Sequence, residues 1–524
     1  MSSVFPGESR GCVLEEAVGV EGEDGANNST VKKRGGGLED LLDLELLSEA
    51  SILECVRLRF LRGEVYTAAG EVIIAANPFE VFRDLYSGAT AEEYRSGEKK
   101  SPHVFLVAKR CFEAVGPQSI LISGESGAGK TETAKRVLSY LATSFAGDKV
   151  LESNPVLESF GNAATCRNDN SSRFGKWLDI KFECRGKKEI VGCGLSTYLL
   201  EKARVVHCAK DERIYHIFYQ VFSSSFPSSE LQLTHQREKA FRLLAMGGRL
   251  RVGVEDDDTE NSAKMLEATK KLGWKRDDVL SILKVVYAIL LLGDVDFSQE
   301  DDEKRSRVPD GCESAASLLG VDGKNLEVAL TTKTECMGKN QKRNSTITIS
   351  LSRESSAEAR DALCKALYSG VFNCLVKKIN ESLRDETTTT SSSSIGLLDI
   401  FGFEVFDHNS FEQLCINYCN EKLQQFFNEV IFAEEQRIYE AEGILSEMTF
   451  ADNSTCVALF DGRPLSLLSL LDDECKKGQS AKDDSFCDAA KKFFSAGHNI
   501  SSNKKAKKRR RRRRRREDIL STRR

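Results

Sequence analysis

The sequence predicts an α/β fold in which large helical insertions separate the strands of a twisted, mostly parallel central sheet. Short apolar runs such as residues 71–76, 119–122 and 395–398 each end in a polar or glycine-containing loop, as buried strands of parallel sheets do. Between these runs, residues 261–292 and 355–383 carry apolar side chains at helical spacing. This alternation favours a layered α/β domain.

The composition is that of a soluble globular protein, and its charge is unevenly distributed. The chain has 524 residues, with 75 Lys and Arg, 80 Asp and Glu, and a net charge of −5. Residues 504–524 contain fourteen basic residues against two acids, so the remaining residues carry a net charge of −17. An acidic body argues against a folded surface for nucleic acid and leaves only the tail, residues 504–524, as a candidate.

Cysteine usage and hydropathy indicate the compartment. The sixteen cysteines include no CxxC pair, and the N-terminus has no signal segment, which favours a reducing compartment. The longest apolar stretch, residues 285–292, is far shorter than the ~20 residues that span a bilayer. We therefore expect a cytoplasmic protein without a membrane span.

The chain divides into three parts. Residues 1–37 are rich in Gly and Glu without hydrophobic periodicity, and we expect a mobile leader there. Residues 38–500 form the predicted domain, and residues 501–524 are a basic tail that charge repulsion keeps disordered. Within the domain, residues 387–394 are four Thr and four Ser, which predicts a flexible surface loop.

A phosphate-binding loop is the sharpest signal in the sequence. A complete G-x4-G-K-[ST] motif follows the predicted strand 119–122 and precedes a helical stretch, residues 132–143. Its residues, with the first helical residue after them, are Gly124, Glu125, Ser126, Gly127, Ala128, Gly129, Lys130, Thr131 and Glu132. The glycines let backbone N–H groups point inward, Lys130 reaches the β- and γ-phosphates, and Thr131 offers its hydroxyl to Mg²⁺. We find no [NT]-K-x-D segment for reading guanine, so ATP is favoured over GTP.

Two further polar loops supply what a γ-phosphate sensor needs. The first is residues 168–176, and the second is residues 399–404 at the end of strand 395–398. Asp399 offers a carboxylate near Mg²⁺, Gly402 offers a backbone N–H, and the hydroxyls of Ser171 and Ser172 can position water. Together with the phosphate loop, these segments predict hydrolysis as well as binding.

The three segments GESGAGKTET, NDNSSRFGK and DIFGFE, in this order, resemble the myosin motor domain, and the similarity runs from about residue 38 to about residue 494. Kinesins are the nearest competitor, but their switches read SSRSH and DLAGSE, which do not occur here. The resemblance implies a P-loop NTPase core, ATP and Mg²⁺ as cofactors, and actin filaments as the partner.

The resemblance also implies roles for individual residues. Asn77, Pro78 and Tyr86 are similar to the adenine-side loop of the family, and Asn168 would contact the nucleotide. By the same resemblance Thr131 and Ser172 would ligate Mg²⁺, and Asp399 would act on it through water. Ser171 and the Gly402 N–H would hold the attacking water. Arg173 and Glu404 would form a salt bridge that closes the pocket.

Downstream segments resemble parts that transmit force and contact actin. Residues 410–439 are similar to the relay helix of the family and begin with a capping box at Ser410 and Gln413. Residues 467–474 and 484–494, with a polar loop between them, resemble a helix-loop-helix actin site, and Lys339, Lys342 and Arg343 lie near a second actin loop. The tentative actin contacts of the first site are Leu471, Asp472, Glu474, Lys491 and Lys492.

The resemblance stops before the end of a motor domain. The rest of the lower actin-binding lobe, the reactive-thiol helices, the converter and the light-chain-binding lever do not follow residue 500. We expect a C-terminally truncated head whose sheet lacks a central strand. The predicted function is an actin-based cytoskeletal motor ATPase, and the alternative is an ATP-binding pseudo-motor that acts as a nucleotide-gated actin-binding module.

Overall fold

The computed structural model describes residues 37–497 with internal gaps. The gaps are residues 81, 115, 143–144, 184–188, 224–225, 227–230, 232–240, 249–253, 299–305, 309–311, 338–344, 385–392, 407–408 and 445–451. The predicted leader up to residue 36, the tail 501–524, and Lys339, Lys342 and Arg343 lie outside the described residues. The described residues fall into two compact units, the first ending at residue 404 and the second beginning at residue 405.

The first unit is built on a four-stranded sheet. Its strands are β3 (Gln118–Ile122), β6 (Gly175–Glu183), β7 (Glu189–Tyr198) and β10 (Ser393–Asp399), in the order β3-β10-β6-β7. Only β3 and β10 are parallel, while β10 with β6 and β6 with β7 are antiparallel. The sheet is therefore mixed rather than mostly parallel, because β6 and β7 follow each other closely enough to pair as a hairpin.

The apolar run 71–76 does not join this sheet. Strand β2 (Val72–Ala75) pairs with β1 (Tyr66–Ala69) in a separate antiparallel hairpin. Among the described residues, β3 pairs with β10 alone and is an edge strand, although it leads into the phosphate loop. The expectation that the sheet lacks a central strand stays a prediction.

The predicted surface loop 387–394 is partly strand. Residues 387–392 lie outside the described residues, but Ser393 and Ser394 begin β10 and pair with Phe182 and Lys181 of β6. Composition suggested a loop because serine disfavours strands, and pairing with a long neighbouring strand overrides that preference.

Helices surround the sheet, as predicted. The helical pattern 261–292 is two helices, α8 (Val254–Lys271) and α9 (Arg276–Asp294), separated at Gly273 with a φ of +80°. The long helix α12 (Arg353–Leu383) begins at Ser352, whose side chain accepts a hydrogen bond from the Ser355 N–H. None of the helices in the described ranges is both long and apolar enough to cross a bilayer.

The remaining elements of the first unit are short. The helices are α1 (Glu49–Leu61), α2 (Gly88–Ser96), α3 (Val104–Glu113), α4 (Lys130–Leu141), α5 (Phe145–Gly161), α6 (Ile217–Gln220), α7 (Arg242–Ala245), α10 (Glu313–Leu319) and α11 (Gly323–Thr331). Two further two-stranded sheets are β4 (Asn162–Ala163) with β5 (Ser171–Ser172), and β8 (Thr332–Met337) with β9 (Ser345–Ser350).

The second unit is helical. The predicted helix 410–439 consists of α13 (Phe411–Asn428), a π-helical segment (Glu429–Ala433) and α14 (Glu434–Ala441). Its start is as predicted, since the Ser410 N–H donates to Gln413 Oε1 at 2.9 Å. The unit continues with α15 (Ser454–Asp461), α16 (Leu467–Cys475) and α17 (Asp483–Gly497), and the last two form the predicted helix-loop-helix.

A buried histidine lies in an aromatic cluster between the β1–β2 hairpin and α3. The His103 ring stacks on Tyr94 with centroids 4.9 Å apart and meets Tyr66 edge-on at 4.7 Å. Its Nδ1 accepts a hydrogen bond from the Phe105 N–H at 3.1 Å. Burial, together with the charge of Lys99, lowers the pKa of His103 to about 3. The ring is therefore neutral in the folded protein at ordinary pH.

We predict that this histidine weakens the fold in acid. The unfolded chain binds a proton on His103 near pH 6.5, whereas the folded chain binds it only near pH 3, so stability falls as the pH drops between these values. The loss is about 1.4 kcal/mol per pH unit within this window. Urea unfolding of His103→Asn at several pH values should show a smaller slope than the wild type. The exposed-site control His207→Asn should keep the wild-type slope, and an unchanged slope in His103→Asn would contradict the prediction.

Candidate nucleotide site

The phosphate loop has the geometry that its sequence predicts. Strand β3 ends at Ile122, and α4 begins at Lys130 directly after the loop. Gly127 and Gly129 have φ values of +83° and +90°, which side chains with a Cβ rarely adopt. The loop therefore turns its backbone N–H groups inward at the N-terminus of a twelve-residue helix, where the helix dipole favours an anion.

Lys130 folds back over this loop. Its Nζ donates to the carbonyl oxygens of Gly124 and Glu125 at 2.8 and 2.7 Å. Burial lowers the pKa of Lys130 to about 8, although the carboxylates of Asp399, Glu404 and Glu125 oppose that shift. The ammonium group thus lies beside the inward-facing N–H groups, where a phosphate would receive both.

A pocket of about 280 Å³ opens in front of the loop. The predicted residues that line it are Asn77, Ser126, Gly127, Gly129, Lys130, Thr131, Glu132, Asn168, Ser171, Ser172, Asp399 and Gly402. The structure thus brings together residues from all three motifs and from the adenine-side loop. Asn77 joins two of these segments directly, because its Nδ2 donates to the Gly127 carbonyl at 2.8 Å.

The other predicted residues are not among those that line the pocket. They are Pro78, Tyr86, Gly124, Glu125, Ala128, Arg173 and Glu404. The Ala128 N–H donates to the Glu125 carbonyl at 3.2 Å. The Tyr86 hydroxyl lies 2.8 Å from that of Tyr66, and the Arg136 guanidinium lies 4.4 Å from the centre of the Tyr86 ring. Tyr86 is therefore tied into the aromatic cluster around His103.

Six lining residues were missed from sequence: Phe79, Lys135, Arg167, Asn170, Ile400 and Phe401. Phe79 is 86% exposed, has a φ of +54°, and donates its N–H to Asn77 Oδ1 at 3.1 Å. Phe79, Asn170, Ile400 and Phe401 lie inside the motifs, so motif membership was a signal for them. Lys135 and Arg167 lie outside the motifs. Lys135 reaches the pocket because of how α4 packs, and Arg167 because of how the loop before β5 packs.

The oxygen atoms on one side of the pocket suit Mg²⁺. Thr131 Oγ1 and Asp399 Oδ1 are 3.4 Å apart, and Ser172 lines the same pocket. Hydroxyl and carboxylate oxygens are the hard ligands that Mg²⁺ prefers in company with water and phosphate. In this structure the Ser172 hydroxyl donates to the Phe174 carbonyl at 2.9 Å, so its lone pairs remain available to a cation.

Arg173 and Glu404 form a bidentate ion pair between the two sensor loops. Arg173 Nη1 and Nη2 donate to Glu404 Oε1 and Oε2 at 2.7 and 3.1 Å, and both side chains are 1% exposed. Arg173 Nε also donates to Glu201, which receives Arg204 as well. Burial disfavours the charged guanidinium, but Glu201 and Glu404 outweigh it, so the pKa of Arg173 stands above its usual value. The two loops are thus joined by a buried, bidentate ion pair.

The second sensor loop touches the phosphate loop through Gly402. A Cβ on Gly402 would lie 1.9 Å from the Gly124 carbonyl oxygen and 2.8 Å from the Glu125 Cα. Only a residue without a side chain fits between these backbones. The pocket geometry therefore depends on glycine at this position.

Comparison with known proteins assigns the chain to one family. The family model for the myosin head (motor domain) matches residues 38–515. The chain belongs to the myosin head family. The match begins with the predicted domain and runs beyond residue 500, into the segment predicted as tail.

Several relatives of this myosin head were found among curated proteins. Myosin-1 of Arabidopsis thaliana is 42% identical over 84% of this chain and 38% of its own length. Unconventional myosin-VI of Sus scrofa is 38% identical over 88% of this chain and 39% of its length. Unconventional myosin-Ic of Mus musculus is 39% identical over 86% of this chain and 44% of its length. The chain thus spans about two fifths of the length of these relatives.

The residues predicted to contact actin lie on α16 and α17 of this myosin head. Asp472, Lys491 and Lys492 are exposed and Leu471 is half-buried. Glu474 is only 7% exposed, and it accepts hydrogen bonds from Lys477 Nζ at 2.6 Å and from the Lys482 N–H at 2.9 Å. Glu474 therefore ties the turn between the two helices together, while Asp472, Lys491 and Lys492 lie at the surface, where Lys491 Nζ pairs with Asp488 Oδ1 at 2.9 Å.

We predict that Gly402→Ala separates the phosphate loop from the second sensor loop of the myosin head. Because the added methyl group would overlap the Gly124 carbonyl, the affinity for a fluorescent ADP analogue should fall by roughly tenfold or more. The control is Gly370→Ala in the middle of α12, where a Cβ meets nothing within 4 Å and binding should be unchanged. Equal affinities for wild type and Gly402→Ala would show that the close contact does not shape the pocket.

Proposed function

We propose that this chain is an actin-based cytoskeletal motor ATPase that binds and hydrolyses MgATP and couples both steps to the binding of actin filaments. The observation that carries the proposal is the buried Arg173–Glu404 pair, since it joins the two sensor loops directly around the phosphate loop. A simple nucleotide-binding protein needs a phosphate loop, but it does not need two sensor loops locked to each other across 231 residues. Family membership and the pocket lining support the same function.

Each group at the pocket has a defined task in hydrolysis. Lys130 and the inward-facing N–H groups bind the β- and γ-phosphates. The Ser171 hydroxyl, which receives Arg173 Nη1 at 3.2 Å, and the Gly402 N–H orient the attacking water. Thr131 and Ser172 would hold Mg²⁺ directly and Asp399 would hold it through water. When bound, Mg²⁺ neutralises charge on the phosphates.

The ion pair supplies a two-state element. Bringing a guanidinium and a carboxylate out of water costs several kcal/mol for each ion, and only close bidentate geometry offsets that cost. Small changes in the position of either loop therefore decide whether the pair is stable. A γ-phosphate that orders both loops would favour the closed pair, and its release would allow the pair to open.

ATP rather than GTP is the proposed nucleotide. The absence from the sequence of an [NT]-K-x-D segment, which would read guanine, favours ATP. Asn77 and the exposed Phe79 line the pocket, and Phe79 presents an aromatic face that suits stacking with either purine base. As an actin-based ATPase the protein would act in the cytoplasm, at the cytoskeleton.

We predict that Lys130→Ala abolishes binding of a fluorescent ATP analogue, because the pocket loses its cation for the phosphates. The matched control is Lys377→Ala, a lysine whose side chain is 79% exposed, which should bind like the wild type. Unchanged nucleotide binding by Lys130→Ala would contradict the assigned site.

Glu404→Ala distinguishes a motor ATPase from a nucleotide-gated binding module when ATP binding and phosphate production are both measured. A motor ATPase should retain ATP binding and lose phosphate production. A nucleotide-gated binding module would show negligible turnover before and after the change.

We propose that the exposed face of α16 and α17 contacts actin, with Leu471, Asp472, Lys491 and Lys492 at the surface. The double variant Lys491→Glu/Lys492→Glu should weaken co-sedimentation with actin filaments, since two cations are replaced by anions on the proposed face. ATP binding should remain at the wild-type level. The control is Lys284→Glu on α9, outside that face. Equal loss of co-sedimentation in the control would refute a specific contact.

A further inference from the structure

Asp399 has a charged partner outside the pocket, Lys176. Asp399 and Lys176 lie directly opposite each other in the antiparallel register of β10 and β6. Lys176 Nζ is 3.2 Å from Asp399 Oδ2, while Asp399 Oδ1 faces the Thr131 hydroxyl. Asp399 Oδ1 therefore faces the proposed metal site, and Asp399 Oδ2 pairs with Lys176.

The lysine is fixed and buried. Lys176 and Asp399 are each 5% exposed, and Lys176 Nζ also donates to Asn154 Oδ1 of α5 at 3.2 Å. The Asn154 amide is oriented in turn, because its Nδ2 donates to the Leu151 carbonyl at 3.1 Å. Lys176 does not line the pocket, so its ammonium reaches the site through Asp399 rather than by touching a ligand.

We propose that Lys176 is a resident counter-ion of Asp399 that limits how strongly Mg²⁺ couples to nucleotide binding. The inference rests on the proposed MgATP function and adds a positioning residue that regulates it. Without metal, Lys176 balances a buried carboxylate that would otherwise be an uncompensated charge. With metal, the same ammonium repels the cation and already neutralises the charge that Asp399 would offer to it.

Removing the lysine has two effects of opposite sign on the metal. The charge effect strengthens Mg²⁺ binding, because the repulsion between the ammonium group and the metal cation disappears. The orientation effect weakens it, because the carboxylate loses one anchor. The second effect is the smaller, since the backbone of Asp399 pairs with Ile122 on one side and Lys176 on the other, and the side chain has only two rotatable bonds. The charge effect is larger than this orientation effect, because charges a few ångströms apart in a buried site interact strongly.

The test uses the full chain and a fluorescent ADP analogue. The quantity compared is the ratio of its dissociation constant in EDTA to its dissociation constant in excess Mg²⁺. In Lys176→Met we expect weaker binding in EDTA, because a cation near the phosphates is lost, and a ratio increased on the order of tenfold. A purely structural role would weaken both measurements by the same factor and leave the ratio unchanged, which would overturn the proposal. A reduced ratio would overturn it as well.

Two further variants keep the test decisive. Lys176→Gln retains a hydrogen-bond donor without the charge, so it should also increase the ratio if Lys176→Met fails to fold. The control is Lys181→Met, since Lys181 lies on the same strand but is exposed. In this variant the ratio of the two dissociation constants should stay within about twofold of the wild-type ratio. If the wild type binds no nucleotide under either condition, the proposed function fails. If the wild type binds and the ratio is the same in all variants, only the counter-ion role fails.

Discussion

The buried guanidinium of Arg173 is the interaction on which the site depends. It lies between two carboxylates, Glu404 and Glu201, and a second guanidinium, Arg204, binds Glu201 from the other side and Glu212 beyond it. Such a chain of alternating charges is stable in the interior only if every member keeps its partner. Movement of one sensor loop therefore leaves a charge uncompensated inside the protein. That constraint is what can convert a small displacement near the phosphates into an all-or-none change.

Glycine sets the distances at which this charge network operates. Gly402 brings the second sensor loop against the phosphate loop, and Gly396 leaves room for the Trp177 ring across β10 and β6, where a Cβ would lie 2.0 Å from the ring. Gly161 does the same for Phe174, next to Arg173 in sequence. At Gly402 two backbones approach closely, whereas at Gly396 and Gly161 an aromatic ring packs directly against the backbone. The ion pairs can then be short because the backbone is already in place.

Sequence reasoning succeeded where local chemistry decides the structure. The phosphate loop, the capping box at Ser410 and the helix 353–383 follow from residues close in the chain, and each is confirmed. It failed where tertiary pairing decides. The direction of β6 and β7, the separation of residues 72–75 from the sheet and the strand at Ser393 depend on neighbours far away in sequence. The salt bridge of Arg173 with Glu404 was expected only by resemblance, and the contact of Arg173 with Glu201 was not predicted.

The two lysines near the phosphate pocket show why burial matters more than residue type. Lys130 is held by carbonyl oxygens, which do not neutralise it, so burial lowers its pKa and its charge remains available for a phosphate. Lys176 is held by a carboxylate, and its charge is already used within the protein. Lys130 is therefore placed to act on the phosphates, whereas Lys176 acts on Asp399, which is proposed to hold the metal through water. Because both lysines are buried near the same pocket, the balance between nucleotide and metal affinity depends on Lys130 facing the phosphate loop while Lys176 is paired with Asp399.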